Sequence, residues 1–145
     1  MGLYAHEIVA GRQGRVLVVD DEAPVRKPIR LNLEKAGYQV VEAEDGEQAI
    51  QVLNSDDNPL MVDTILCDIR MPKISGTEAI AYFRTQYPSI PVVVMTGYPD
   101  VELAVLFMKQ GALDYLVKPV SKDELLTVIR KAVDQHVVLK GQFTA

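Results

Sequence analysis

A chain of 145 residues has the size of one ordinary domain, and its 48% hydrophobic content suits a single buried core. A formal net charge of -5 repels nucleic-acid phosphates, which argues against direct nucleic-acid binding by this domain. One cysteine excludes an intramolecular disulfide, and no stretch approaches the roughly 18 apolar residues of a membrane span, so the expected compartment is the cytoplasm and no membrane partner is expected. The start of the chain has no secretory pattern, and Met1-Gly2 does not fit myristoylation because His6 stands where Ser or Thr is required.

Residues 1–14, with Gly2, Gly11 and Gly14, read as a flexible leader in which His6 is a solvated loop residue. Strand one spans 15–20, and a helix over 24–35 ends at Gly37, the residue type a helix C-terminus prefers. Pro24 suits the first turn. Pro28 argues for a later start, because inside a helix it removes a backbone donor. Strand two covers 39–43, Asp45-Gly46 reads as a turn, and a helix over 47–53 turns Ala49, Ile50, Val52 and Leu53 to the sheet. The polar stretch 54–59 breaks the pattern before strand three at 62–67.

After Asp68 the loop carries Met71-Pro72, Ser75 and Gly76, and a helix over 77–86 places Ala79, Ile80 and Phe83 inward. Pro88 and Pro91 bracket the approach to strand four, the run Val92-Val93-Val94-Met95 that ends at Thr96. A fourth helix over 100–109 stops at Gly111, strand five is 114–117, and a last helix covers 122–139. Its predicted buried stripe is Leu125, Leu126, Ile129 and Val133, reaching towards Val137. The domain is thus expected over 15–140, with 141–145 as a tail or truncated linker. The end of the chain so soon after the last helix favours a piece of a longer protein over a complete single-domain one.

Five β-branched runs alternating with five helical segments predict repeated βαβ units and a mostly parallel, doubly wound α/β sheet. In such a sheet all strand C-termini open on one edge, where ligands bind. Five chemically apt residues follow those ends: Asp20 and Asp21, then Asp68, Thr96 and Lys118. Asp20 and Asp21 have two readings, as caps for the first helix or as cation ligands. Glu22 makes three consecutive acids, whose mutual repulsion favours a cation, and oxygen ligation favours Mg²⁺ over zinc or a caged Ca²⁺. Lys118 precedes Pro119, which restricts its backbone, and Gly97 leaves room for a bulky anion beside the Thr96 hydroxyl. Cys67, within an apolar strand, reads as a small buried hydrophobe.

The segments Val18-Val19-Asp20-Asp21-Glu22, Leu66-Cys67-Asp68-Ile69-Arg70-Met71-Pro72 with Gly76, Val94-Met95-Thr96-Gly97 and Tyr115-Leu116-Val117-Lys118-Pro119 resemble the receiver domains of bacterial two-component response regulators. That resemblance covers about residues 15–139. It implies a flavodoxin-like five-stranded sheet in the order 2-1-3-4-5 with five helices, acting as a signalling module rather than an enzyme, one that assists its own phosphorylation and dephosphorylation. It further implies that Asp68 is the phosphoacceptor, that Asp21, Asp68 and the Arg70 backbone carbonyl bind Mg²⁺ directly, and that Asp20 does so through water. Thr96 and Lys118 are then the phosphoryl ligands, and Thr96 with Tyr115 the switch. Arg70 and Tyr98, each two residues beyond a site residue, are expected to flank attacking water and tune phosphoryl lifetime. Implied partners are a sensor histidine kinase or phosphotransfer protein, and a homodimer through the fourth helix, fifth strand and last helix.

Two other classes share parts of the pattern. An Mg²⁺-dependent phosphohydrolase with an aspartate nucleophile usually carries a second acid two residues on, whereas Asp68 is followed by Ile69 and Arg70. A flavodoxin-like cofactor carrier needs a phosphate-cradling loop after strand one, and Asp20-Asp21-Glu22 is not one.

Overall fold

Along β1 (Gly14–Val19) the side chains from Val16 to Val19 are all buried, which requires packed layers on both faces of the sheet, as parallel strands have. The computed structural model describes residues 13–69, 76–97 and 101–144. Within them β1, β2 (Tyr38–Ala43), β3 (Val62–Asp68), β4 (Val92–Thr96) and β5 (Asp114–Val117) form one parallel sheet in the order β2-β1-β3-β4-β5. This is the expected flavodoxin-like topology. Val16, Val18, Leu66, Val93 and Met95 pack on one side with Ile29 and Leu33 of α1 (Ala23–Lys35) and Leu125, Ile129 and Val133 of α6 (Lys122–Thr144). On the other side Leu17, Val19, Ile65, Cys67 and Val94 meet Ala49 and Leu53 of α2 (Gly46–Leu53), Ala79, Ile80 and Phe83 of α4 (Gly76–Gln86) and Phe107 of α5 (Val101–Lys109).

Several local expectations are corrected. The described residues hold six helices rather than five, because a single turn, α3 (Asn58–Met61), occupies part of the stretch read as a polar break. Its buried Asn58 donates to the Val52 carbonyl at 2.8 Å and accepts from Arg15 at 2.9 Å, so its polarity serves an internal bridge rather than solvent. Asp45 is the N-cap of α2, accepting from the Gln48 amide at 2.8 Å, where a turn was read. Helix α1 does start at Ala23 and keeps Pro28 inside it. Pro24 and Pro28 both lie on its exposed side, where water reaches the carbonyl that Pro28 cannot serve. Gly37 follows α1 with φ +98°, a conformation that suits its lack of a Cβ.

The ends of the domain also differ. Gly14, assigned to the leader, opens β1, and its φ of +146° brings it so close to β3 that a Cβ would lie 2.7 Å from Asp63 Oδ2. Helix α6 continues to Thr144, through most of the segment read as a tail. Ser121 caps it, accepting from the Glu124 amide at 3.1 Å. The predicted stripe is buried at Leu125, Ile129 and Val133, but Val137 is 65% exposed. The 3–4 spacing from Ala132 and Val133 falls instead on His136, which is only 4% exposed. Its Nδ1 lies 2.8 Å from Asp63 Oδ1, while Asp63 Oδ2 accepts from the Arg15 amide at 2.8 Å. One carboxylate therefore ties the last helix to β1 and β3 at the sheet edge opposite the strand C-termini.

Removing the buried His136 ring forfeits its packing and its bond to the half-buried Asp63, so urea unfolding of His136→Ala should show a loss of about 1–3 kcal/mol. Val137→Ala, one residue on and exposed, should change stability by less than about 0.5 kcal/mol. Equal losses in the two variants would refute the tie.

Candidate functional site

The parallel topology brings the ends of β1, β3, β4 and β5 to one edge, and with them five of the predicted site positions, Asp20, Asp21, Asp68, Thr96 and Lys118. Asp20 follows β1, Asp68 ends β3 and Thr96 ends β4, and all three are buried. Lys118 follows β5, and its amide donates to the Thr96 carbonyl at 2.8 Å, so β4 holds the backbone from which the ammonium projects. The Lys118-Pro119 peptide is cis.

The Lys118 Nζ donates to Asp20 Oδ2 at 2.7 Å and to Asp68 Oδ2 at 3.1 Å. Asp20, Asp21 and Asp68 each bring a carboxylate oxygen within 4.8 Å of the others, and the Asp21 side lies exposed at the opening. Three carboxylates facing one ammonium leave two negative charges, which fits a hard divalent cation with oxygen ligands. The helix-cap reading of the two acids falls away. The N-cap of α1 is Glu22, with no side-chain cap bond, and Asp20 Oδ1 accepts from the Glu22 amide at 2.9 Å, inside the loop itself.

Burial would lower the Lys118 pKa, but hydrogen bonds to Asp20 and Asp68, together with their charges, outweigh it and raise the ammonium above its ordinary value. Burial also pushes the Cys67 thiol up, aided by the charges of Asp68 and Asp20, so the cysteine beside the site stays a neutral hydrophobe as expected. Thr96 is fully buried, and a Cβ added at Gly97, the next residue, would meet nothing within 4 Å. Tyr115 is half-buried in β5 and packs against the core on the α2, α4 and α5 side. Arg70, with its predicted carbonyl ligand, and Tyr98 lie outside the described residues, as do Met71, Pro72, Ser75 and Pro99.

One neighbour escaped sequence reasoning. Arg26 of α1 donates from Nη1 to the Asp20 carbonyl at 2.5 Å and from Nε to Glu42 Oε1 at 2.9 Å. Nothing in the sequence marked it, because one partner is a backbone oxygen and the other lies on a different strand. An apolar recess lined by Val25, Pro28, Ile29, Lys118, Pro119 and Val120 adjoins the site.

Because the Lys118 pKa is raised in the folded state, its ion pairs stabilise fully below the ordinary lysine range and are lost as pH climbs above it. The stability difference between the parent and Lys118→Met, from urea unfolding, should therefore be constant near neutrality and shrink at strongly alkaline pH. A difference that grew with alkalinity would contradict the pairing.

Comparison with known proteins accords with this geometry. The chain matches the response regulator receiver domain over residues 16–130. It is 38% identical over 125 residues to the transcriptional regulatory protein ZraR of Klebsiella oxytoca, covering 86% of this chain and 27% of that protein. It is 34% identical over 123 residues to the transcriptional regulatory protein FixJ of Bradyrhizobium diazoefficiens, covering 85% of this chain and 58% of that one. A crystal structure of a response regulator receiver domain protein from Clostridium thermocellum superposes with a TM-score of 0.81 at 31% identity, over 87% of this chain and 98% of the other. The chain spans about a quarter of ZraR and just over half of FixJ. The match disfavours the phosphohydrolase reading. Strand order, acid cluster and matched residues agree: the chain belongs to the receiver domains of two-component response regulators, which are signalling modules.

Proposed function

We propose that Asp68 accepts a phosphoryl group from a phosphohistidine of a sensor histidine kinase or phosphotransfer protein, with Mg²⁺ as the cofactor. The observation that carries this reading is the convergence of Asp20, Asp21 and Asp68 within 4.8 Å, with the Lys118 ammonium 3.1 Å from Asp68. Asp21, Asp68 and the Arg70 carbonyl would hold the ion directly, and Asp20 would do so through water. Bound there, the ion would neutralise charge on the transferring group, which is most of what phosphoryl transfer requires. Asp68 supplies the carboxylate oxygen that forms the new P–O bond as the donor P–N bond breaks, and the departing imidazole takes up a proton. Lys118 and the Thr96 hydroxyl then hold the phosphoryl oxygens.

Phosphorylation adds close to two negative charges at Asp68. Thr96 is drawn towards them, and Tyr115 turns into the space vacated, reshaping the surface of α5, β5 and α6. Val101, Val105, Leu106 and Met108 of α5 and Val117 of β5 are exposed there, an apolar surface suited to pairing with a second copy. The module assists its own phosphorylation and dephosphorylation without turning over a separate substrate. In the cytoplasm such a domain meets a kinase directly, and no helix among the described residues is long and apolar enough to cross a membrane.

Incubation with Mg²⁺ and acetyl phosphate should give a single phosphate adduct on the parent and none on Asp68→Asn, as read by mass spectrometry. Lys118→Met should slow adduct formation by roughly 10²-fold, the usual scale for removing one preorganised charge-stabilising donor. An adduct on Asp68→Asn would refute the assignment. Substitution of Arg70 or Tyr98 should change the dephosphorylation rate more than the phosphorylation rate; equal changes in both would remove them from the path of the attacking water.

A further inference from the structure

The loop that carries the two adjacent acids is held at three points. The Asp20 amide donates to the Ala43 carbonyl of β2 at 3.1 Å, the Glu22 amide donates to Asp20 Oδ1 at 2.9 Å, and the Asp20 carbonyl accepts from Arg26 Nη1 at 2.5 Å. That carbonyl belongs to the peptide unit joining Asp20 to Asp21, so its direction sets how both Cα–Cβ bonds leave the backbone. The guanidinium that holds it is anchored in turn. Arg26 Nε pairs with Glu42 Oε1 at 2.9 Å, and Glu42 Oε2 pairs with Arg30 at 2.7 Å. Glu42 lies beside Val18 in the β1–β2 register, so the anchor is the sheet itself. Asp20 has the Lys118 ammonium as a second restraint, whereas Asp21 is exposed and depends on its backbone for placement.

We propose that Arg26, anchored by Glu42, is a positioning residue for cation capture: it fixes the Asp20–Asp21 peptide so that both carboxylates converge with Asp68. This rests on the reading of those three acids as a cation site. Geometry and charge predict opposite signs. A cation near three acids repels an incoming divalent ion, so removing Arg26 on charge grounds alone would tighten binding. Loss of positioning weakens it, and groups that orient ligands are typically worth 10- to 100-fold in metal affinity.

The experiment is a Mg²⁺ titration of the whole chain followed by backbone amide shifts, which needs no phosphodonor. Arg26→Gln should raise the half-saturating Mg²⁺ concentration about tenfold. Arg26→Lys, which keeps the charge but loses the planar fork, should raise it by several fold. Glu42→Gln, which leaves Arg26 in place but frees its anchor, should raise it less than Arg26→Gln. Binding by Arg26→Gln as tight as the parent's, or tighter, overturns the proposal, as does Arg26→Lys matching the parent. Should Arg26→Gln give the collapsed spectrum of an unfolded chain, a well-dispersed Glu42→Gln with parental affinity overturns it equally. Failure of the underlying site reading looks different: the parent itself would then show no Mg²⁺-dependent shifts at residues 20, 21 and 68.

Discussion

A single ammonium lies between two buried carboxylates, and much of the architecture serves to keep it there. Asp20 and Asp68 sit at the ends of neighbouring strands with Lys118 Nζ bridging them at 2.7 and 3.1 Å. Two ionised carboxylates so near each other, out of water, repel strongly unless a cation intervenes. Lys118 compensates part of that repulsion, and the net negative charge that is left suits a divalent ion. The arrangement rests on parallel strands, because only then do the C-terminal ends of neighbouring strands share one edge, and parallel strands have helices on both faces. The two-sided core and the charge cluster are consequences of one topology.

The opposite edge is built differently. There Asp63 joins the Arg15 amide and His136, and Arg15 reaches on to Asn58 and Asp57, so the start of β1, the start of β3 and the last helix are joined by satisfied polar contacts. Asp63 and Asp68 stand at the two ends of β3, about 16 Å apart at roughly 3.3 Å per residue. One end of the strand is thus knitted to its neighbours, while the other lies at the edge that carries open space at Gly97 and the exposed Asp21. A domain that must change surface without unfolding benefits from confining movement to one edge. The short-range hold of Arg26 on the Asp20 carbonyl fastens the loop between β1 and α1 at that second edge.

Regular elements were legible wherever the local pattern was repetitive. Runs such as Val92-Val93-Val94-Met95, and the inward trio of Ala79, Ile80 and Phe83, announce their state through burial alone. The misreadings occur where one polar side chain has two options. Asp45 looks like a turn residue and is a cap, Asn58 looks like solvated loop and is a buried bridge, and His136 continues the apolar stripe that the sequence extends towards Val137. In each case the deciding partner is set by folding, and for His136 it is as distant as another strand. Pro28 was judged by the usual cost of an interior proline. The structure accommodates it on the wet side of α1, where that cost is smallest.

Order of elements, parallel pairing and the chemical kinds of side chain at the strand ends were all implicit in the amino-acid chain, because periodicity and residue type are local properties. Distances were not. That Lys118 reaches Asp20 and that Asp63 ties down the last helix depend on how strands far apart in sequence align, with contacts spanning 98 and 73 residues, whereas Arg26 grips the backbone between the two acids from 6 residues away. Even the shortest of these required the loop after β1 to fold back over the first turn of α1. Packing of the assembled sheet against its helices settles that geometry, and no reading of one segment at a time contains it.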